Sequence, residues 1–228
     1  QILGGPGDDV LYGNGGEGSD IALGGAGNDL GLGGEGSDFV DGNQGDDTVN
    51  GNAGSDVVSG GQGDDTVHGG QGDDVAIGGQ GDDSVSGDLG DDLVAGGTGN
   101  DTVAGGEGAD AVFGGQGDDV VEGGAGDDSL SGDRGNDSLA GGAGDDVFVF
   151  NSDGGADVIV DFATGDVLQI QGGINGLDLS NPSDLLSLIT SDSLGNAVIN
   201  LGDGNSVTLL NLTEADLKAR IESVVVIV

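Results

Sequence analysis

The sequence predicts an all-β fold, a solenoid of two parallel sheets with 18 residues per coil and a small mixed capping segment at its C-terminal end. Three observations predict it. A nine-residue phrase, written GGQGDDTVH at 60–68, recurs in fifteen unbroken copies from Gly15 to Val149. Each copy ends in three residues whose middle one is apolar, and the period disappears after Val149. Repeats of this kind stack so that each unit contacts its neighbours.

Glycine occurs at fixed places in the phrase. A sixteenth copy, Gly4 to Tyr12, precedes the array behind the two-residue insertion Gly13-Asn14, and positions one and four are Gly in all sixteen copies. A tight turn with positive φ needs Gly at such places. Position two is Gly or a residue that tolerates left-handed backbone: Asn43, Asn52, Asp88 and Asp133. The unit is predicted to be a six-residue turn followed by a three-residue strand.

Position eight supplies the predicted core. It is Val or Leu in most copies and Phe148 in the last, with weak residues at Ala22, Gly31 and Ala76. A flat coil closes most simply with two strands and two turns, so the position-eight side chains of both sheets meet inside. Such a core is thin, and β-branched Val suits it.

Position six is Asp in every copy. Stacked coils bring each of these carboxylates to about 4.8 Å from its like neighbour, an arrangement that repels unless a cation intervenes. Two carboxylates and several turn carbonyls form an all-oxygen shell, which fits calcium better than magnesium. Zinc and copper are poor candidates because the phrase contains no regular His or Cys.

The array resembles the RTX, or hemolysin-type, calcium-binding nonapeptide repeat of secreted bacterial proteins, over about two-thirds of the chain. The resemblance implies a right-handed parallel β-roll with a calcium ion between the turns of adjacent coils. It pairs Asp20 with Asp38 and continues at the same spacing to Asp128 with Asp146, which gives about 13 ions. The insertion puts 20 residues between Asp9 and Asp29 and so places a site there in question.

The ligands implied by this resemblance are of two kinds. The carboxylate ligands are Asp20, Asp29, Asp38, Asp47, Asp56, Asp65, Asp74, Asp83, Asp92, Asp101, Asp110, Asp119, Asp128, Asp137 and Asp146. The backbone ligands expected in the middle of the array are Gly60, Gln62, Gly69, Gln71, Gly78 and Gln80.

Charge supports a metal site over a solvated acidic face. The chain has 43 acids, three Lys or Arg and a net charge of −40, with 32 of the acids in residues 1–149. About 13 calcium ions would leave the array near −5. With aromatic residues at 3%, the metal-free chain is expected to be disordered and the calcium-loaded chain folded.

Residues 150–228 form the second predicted domain, after the array at 1–149. The segment is similar to the C-terminal region that follows RTX arrays, which implies a cap and an uncleaved type I secretion signal. Val224 to Val228 is either that signal, a last cap strand, or both. The predicted elements are strands at 157–162 and 165–170, a helix from Asn181 to about Thr190, a hairpin at 197–201 and 206–210, and a helix from Thr213 to about Ile221.

Catalysis is not expected. The single histidine, His68, should point outward, and the sequence has no zinc-protease helix, nucleophile elbow or phosphate loop. Three basic residues disfavour nucleic acid, and no apolar run is long enough to span a membrane.

The expected function is a calcium-binding module that folds on extracellular calcium and supports the secretion of a larger protein. Its partners would be calcium and the type I secretion machinery. We expect a secreted, extracellular or surface-associated chain that is a fragment of a longer array or of a larger protein and is monomeric as a fragment. The alternative is a surface-structural or adhesive module of the adhesin, surface-layer or ice-binding kind.

Overall fold

A computed structural model describes residues 1–13 and 18–228. The inserted Asn14 and the first three positions of the second copy, 15–17, lie outside the described residues. Through the array the strands are β1 Ile2–Pro6, β2 Val10–Tyr12, β3 Ile21–Ala26, β4 Leu30–Glu35, β5 Phe39–Gln44, β6 Thr48–Ala53, β7 Val57–Gln62, β8 Thr66–Gln71, β9 Val75–Gln80, β10 Ser84–Leu89, β11 Leu93–Thr98, β12 Thr102–Glu107, β13 Ala111–Gln116, β14 Val120–Ala125, β15 Ser129–Arg134, β16 Ser138–Ala143 and β17 Val147–Phe150.

The strands form the two parallel sheets that the sequence predicts. Each array strand pairs with the next strand but one, so Val57 of β7 lies beside Val75 of β9 and Thr66 of β8 beside Ser84 of β10. Within the described residues, one sheet has eleven strands and contains every odd-numbered array strand, and the other has twelve and contains every even-numbered one. We call them the odd sheet and the even sheet. The all-β parallel β-roll is therefore confirmed.

Position eight forms the core between the sheets. Its side chains, from Leu11 to Phe148, are at most 2% exposed, including those of the weak residues Ala22 and Ala76. At Gly31 the neighbouring coils fill the gap, because an added Cβ would lie 2.7 Å from the Val40 Cγ1 atom. The strand alternation thus places a continuous column of apolar side chains inside the roll.

The strands are longer than predicted. β7 covers positions seven to nine of one copy and the first three positions of the next, so it has six residues instead of three. Pairing between coils continues through the glycines, since Gly61 lies beside Gly79 and Gln62 beside Gln80. The turn proper therefore contains only positions four to six, and not the six positions that the sequence predicts.

Glycine is required for two different reasons. Positions two and four have positive φ, 116° at Gly61 and 125° at Gly63, and Asn43 substitutes at position two with φ of 76°. Position one is not among the residues with positive φ, which corrects the explanation based on sequence. There the requirement is space, because a Cβ on Gly60 would collide with the Asp65 side chain.

Both sheets continue beyond Val149. β18 (Ala156–Ile159) pairs with β16 in the even sheet, and β19 (Val167–Ile170) pairs with β17 in the odd sheet, so the two predicted strands exist but lie in different sheets. The rings of Phe148 and Phe162 pack against each other where the array meets the following segment, with their centroids 5.9 Å apart. The division into domains 1–149 and 150–228 stays a prediction.

The last part of the chain ends both sheets. The predicted hairpin is present as β21 (Ala197–Gly202) and β22 (Asn205–Leu209), with β20 (Ile189–Ser191) beside it. The helix expected up to Thr190 is a shorter 3-10 helix, Pro182–Ser187, because the chain enters β20. Helix α1 is Glu214–Val224, capped by the Thr213 side chain, and it leads into β23 (Val225–Ile227) on the odd sheet.

We expect Gly60→Ala to destabilise the calcium-loaded chain by about 1–3 kcal/mol, because the added methyl group displaces Asp65 in a packed turn. Gly61→Asn is the control, since Asn43 and Asn52 already occupy that position with φ of 76° and 75°. Thermal unfolding in saturating calcium measures both. Equal losses for the two variants would contradict the steric explanation.

Candidate metal centre

The position-six carboxylates connect successive coils. The Asp65 backbone N–H donates to Asp83 Oδ1 at 2.8 Å, and the Asp83 N–H donates to Asp101 Oδ1 at 2.8 Å. The same bond joins every pair expected from the sequence, from Asp20 with Asp38 at 2.8 Å to Asp128 with Asp146 at 3.1 Å. The structure therefore brings all the predicted carboxylates together in pairs, and their role as calcium ligands is a proposal.

The second oxygen of these carboxylates is the unusual atom of the site. Among the described residues, Oδ2 is buried without a hydrogen-bond donor in fourteen position-six side chains. They are Asp9, Asp29, Asp38, Asp47, Asp56, Asp65, Asp74, Asp83, Asp92, Asp101, Asp110, Asp119, Asp128 and Asp137. A buried anionic oxygen with no partner is costly, and a bound cation would satisfy it.

Backbone oxygens lie next to these atoms. A Cβ built on Gly42 would collide with Asp47 Oδ2 and would lie 2.6 Å from the Gly60 carbonyl oxygen of the next coil. Asp56 Oδ2 and the Gly69 carbonyl oxygen converge in the same way above Gly51. Position-one Gly thus leaves room for a carboxylate oxygen and a carbonyl oxygen to meet.

The other predicted backbone ligands have a structural role already. The carbonyl oxygens of Gln62, Gln71 and Gln80 each accept a backbone N–H from the preceding coil at 2.8 Å, while their residues are exposed. Gly78 is buried, and an added Cβ there would lie 2.5 Å from Asp83 Oδ2. A carbonyl oxygen has two lone pairs, so one hydrogen bond leaves capacity for a cation.

Burial makes the negative charge of these carboxylates unfavourable. It raises the pKa of Asp65 and of Asp74 to about 7, with the neighbouring carboxylates of the same column adding to the shift. Burial likewise raises the pKa of Asp83, Asp101 and Asp119 to about 6. The hydrogen bond from the preceding coil acts in the opposite direction and is the smaller effect. Without a counter-charge, the folded turns oppose ionisation.

The donors fit a hard divalent cation. Nowhere in residues 1–13 and 18–228 do three or more His, Cys, Asp or Glu side chains gather as a metal-binding group. The paired Asp side chains would supply two carboxylates per site, and the remaining ligands would be backbone oxygens. Calcium accepts such a mixed oxygen shell, and the buried Oδ2 atoms are the groups that need it.

Position five forms a second, exposed ladder that sequence reasoning missed. The Asp82 N–H donates to Asp64 Oδ1 at 2.9 Å, and the Asn100 N–H donates to Asp82 Oδ1 at 2.7 Å. These side chains accept from the following coil, whereas those of position six accept from the preceding coil. Asp82 faces solvent, and it also holds two turns together.

Three further acids extend the position-six pairing. These acids are Asp9, Asp157 and Asp166, and each pairs across 20 residues instead of 18. The Asp9 N–H donates to Asp29 Oδ1 at 2.7 Å. The Asp137 N–H donates to Asp157 Oδ1 at 3.1 Å, and the Asp146 N–H donates to Asp166 Oδ1 at 3.3 Å. Asp157 is 4% exposed and burial raises its pKa to about 8. The signal was present in Gly155-Ala156-Asp157-Val158-Ile159, which retains Gly-x-Asp-x-apolar after the nine-residue period is lost.

The histidine lies on the outer face of the even sheet. His68 Nδ1 is 3.1 Å from Asp88 Oδ2, and Ser86 Oγ donates to Asp88 Oδ1 at 2.6 Å. The serine hydroxyl therefore faces the carboxylate and not the imidazole, which is not the order that activates a nucleophile. In the part of the chain that the structure describes, no helix is long and apolar enough to cross a membrane.

Stacked turns, paired carboxylates and converging carbonyls define a metal-binding parallel β-roll. The family model of the RTX calcium-binding nonapeptide repeat (4 copies) matches the overlapping segments 1–30, 14–42, 23–58, 32–67, 59–94, 86–121, 113–148 and 122–159. The chain belongs to this family and is an RTX calcium-binding module.

One solved structure is also similar to the chain. The extracellular lipase LipA from Serratia marcescens is similar at 20% identity and a TM-score of 0.36, over 76% of this chain and 40% of that chain. The chain thus spans well under half of that enzyme, and a likeness of this degree carries no functional argument. No curated protein sequence matches the chain.

We expect Asp83→Asn to lower the bound calcium by about one or two ions and to raise the calcium needed for folding, because Asp83 belongs to two successive pairs. Asp82→Asn removes the same charge one residue away. Its amide should keep the bond from Asn100, since Asn28 accepts the equivalent bond from Asp46. Titration calorimetry on both variants measures the difference, and equal stoichiometries would refute the assignment of inner and outer carboxylates.

Proposed function

We propose that this module folds when it meets calcium outside the cell and thereby supports the folding and export of a larger secreted protein. The observation that carries the proposal is the column of buried, paired carboxylates whose Oδ2 atoms have no donor. Folding without a cation would bury these charges uncompensated. Calcium binding would therefore supply folding free energy directly.

The number of ions follows from the pairs. The spacing of 18 residues gives about 13 sites, and the pairs at Asp9, Asp157 and Asp166 would raise the total to about 16. Against a net charge of −40, ions in this number would neutralise most of the array. A single site would leave nearly all of the repulsion, so the ions are proposed to bind as the coils stack.

The calcium concentration decides where folding occurs. Extracellular calcium modules bind with dissociation constants of about 10⁻⁴–10⁻³ M, far above cytosolic calcium. The chain is accordingly proposed to stay unfolded inside the cell and to fold after export. Its role is structural and not catalytic, and its place is secreted or at the cell surface.

The C-terminal residues bear on export. Val225–Ile227 forms β23, the strand that ends the odd sheet beside β19, and Val225 is buried. A secretion machine could read these residues only while they are unpaired. We therefore assign the last residues both predicted roles at different times, an export signal in the unfolded chain and a cap strand in the folded one.

Circular dichroism tests the folding step. With a chelator the full chain should give a coil spectrum, and millimolar calcium should produce a β spectrum, because the paired carboxylates then gain a counter-charge. Magnesium at the same concentration is the control, since it demands a tighter octahedral shell. A chain already rich in β-structure with chelator would overturn the proposal.

An export assay tests the second step. In bacteria that carry a type I exporter, the full chain should reach the medium only when the exporter is present. A variant that ends at Ser223 should stay inside, while one lacking residues 1–5 should be exported normally. Release of both truncated chains alike would contradict a signal in the last five residues.

A further inference from the structure

The outer faces of the two sheets differ in polarity. Positions seven and nine point outward along each strand. On the odd sheet from β3 to β13, ten of these twelve residues are apolar, against four of twelve on the even sheet from β4 to β14. Six large apolar residues of this set are 37–44% exposed, namely Ile21, Phe39, Val57, Ile77, Leu93 and Phe113. These six define the apolar face.

The two outer surfaces also differ in charge. The six odd-sheet strands from β3 to β13 contain one acid, Asp41, whereas the six even-sheet strands from β4 to β14 contain Glu35, Asp88, Glu107 and Glu122. Asp41 is partly buried, and its carboxylate accepts the Asn43 N–H at 3.0 Å. In a chain with 43 acids, the apolar face is nearly free of charge.

We propose that the apolar face is where a second copy of this chain docks, with the odd sheets of two calcium-loaded molecules packed face to face. An apolar face can pack against the same face of a second copy, which is the arrangement that a two-fold symmetric dimer requires. It is also the sheet face on which two copies of so acidic a chain can approach with least repulsion. The even sheet would place four acids of each copy against those of the other.

The size of the face sets the strength of the dimer. The six strands that carry the apolar face are about 4.8 Å apart and about 20 Å long, so their whole outer surface, with the glycine-rich halves included, covers about 600 Å² per copy, or about 1,200 Å² for the pair. That area is at the lower limit for a specific interface and above that of most crystal contacts. The dimer should therefore be weak and reversible, with a dissociation constant in the micromolar range. It would replace the monomer that the sequence analysis expects for the fragment.

Sedimentation velocity in millimolar calcium tests the proposal. From about 10 to about 500 µM, the average mass of the full chain should rise towards about twice that of the monomer. Val57→Glu puts a charge near the middle of the apolar face and should weaken association at least tenfold, because each copy then opposes a like charge. Thr66→Glu adds the same charge at the same repeat position on the even sheet and should associate as the unchanged chain does.

Each possible result either supports or overturns docking of a second copy on the apolar face. Equal calcium midpoints by circular dichroism would show that both variants fold, and Val57→Thr gives a milder change should Val57→Glu fold poorly. A monomer at every concentration would overturn the proposal and leave the apolar face to another partner. Equal weakening by both Glu variants, or by neither, would place the contact elsewhere. None of these results depends on export, so the proposed function can fail or hold separately.

Discussion

Repulsion between carboxylates one strand spacing apart is the constraint on which the rest of this structure depends. Parallel stacking every 18 residues places the Asp side chains of position six in columns, as Asp65, Asp83 and Asp101 show. The backbone N–H of each preceding coil satisfies one oxygen, and the buried second oxygen calls for a cation. The fold and the proposed metal site are therefore coupled, because the stacking that forms the sheets is also what pairs the carboxylates.

The turn is built to permit this arrangement. Positive φ at positions two and four keeps the chain in the ladder while it bends, and position-one Gly leaves the space that the carboxylate fills. The two ladders of side-chain hydrogen bonds run in opposite directions. The position-six carboxylate accepts a backbone N–H from the preceding coil, and the position-five side chain accepts one from the following coil. Every turn is thus tied to both neighbours, which makes the coils depend on one another.

The sequence predicts the features that follow from period and alternation. Which residues point inward, which coils pair, and which carboxylates meet can all be derived from the phrase GGQGDDTVH and its recurrence. The length of the strands could not be derived in this way, because a glycine in the sequence does not show whether the backbone continues in the strand ladder or leaves it. The sequence leaves a site near Asp157 open and does not indicate one at Asp166, because the spacing there lengthens to 20 residues. The difference in polarity between the outer faces of the two sheets becomes visible only when odd and even copies of the repeat are compared separately.

The core becomes stronger towards the cap, and this suggests where stacking begins. Ala22 and Gly31 hold the inward positions near the first coils, whereas Leu130, Leu139 and Phe148 hold them near the last and are fully buried. Larger apolar side chains bury more area, so coils at the cap end gain more from packing alone. Coils near the N-terminal end should therefore depend more heavily on the proposed cation. In a repeat array that folds by nearest-neighbour contacts, order should therefore spread from the cap.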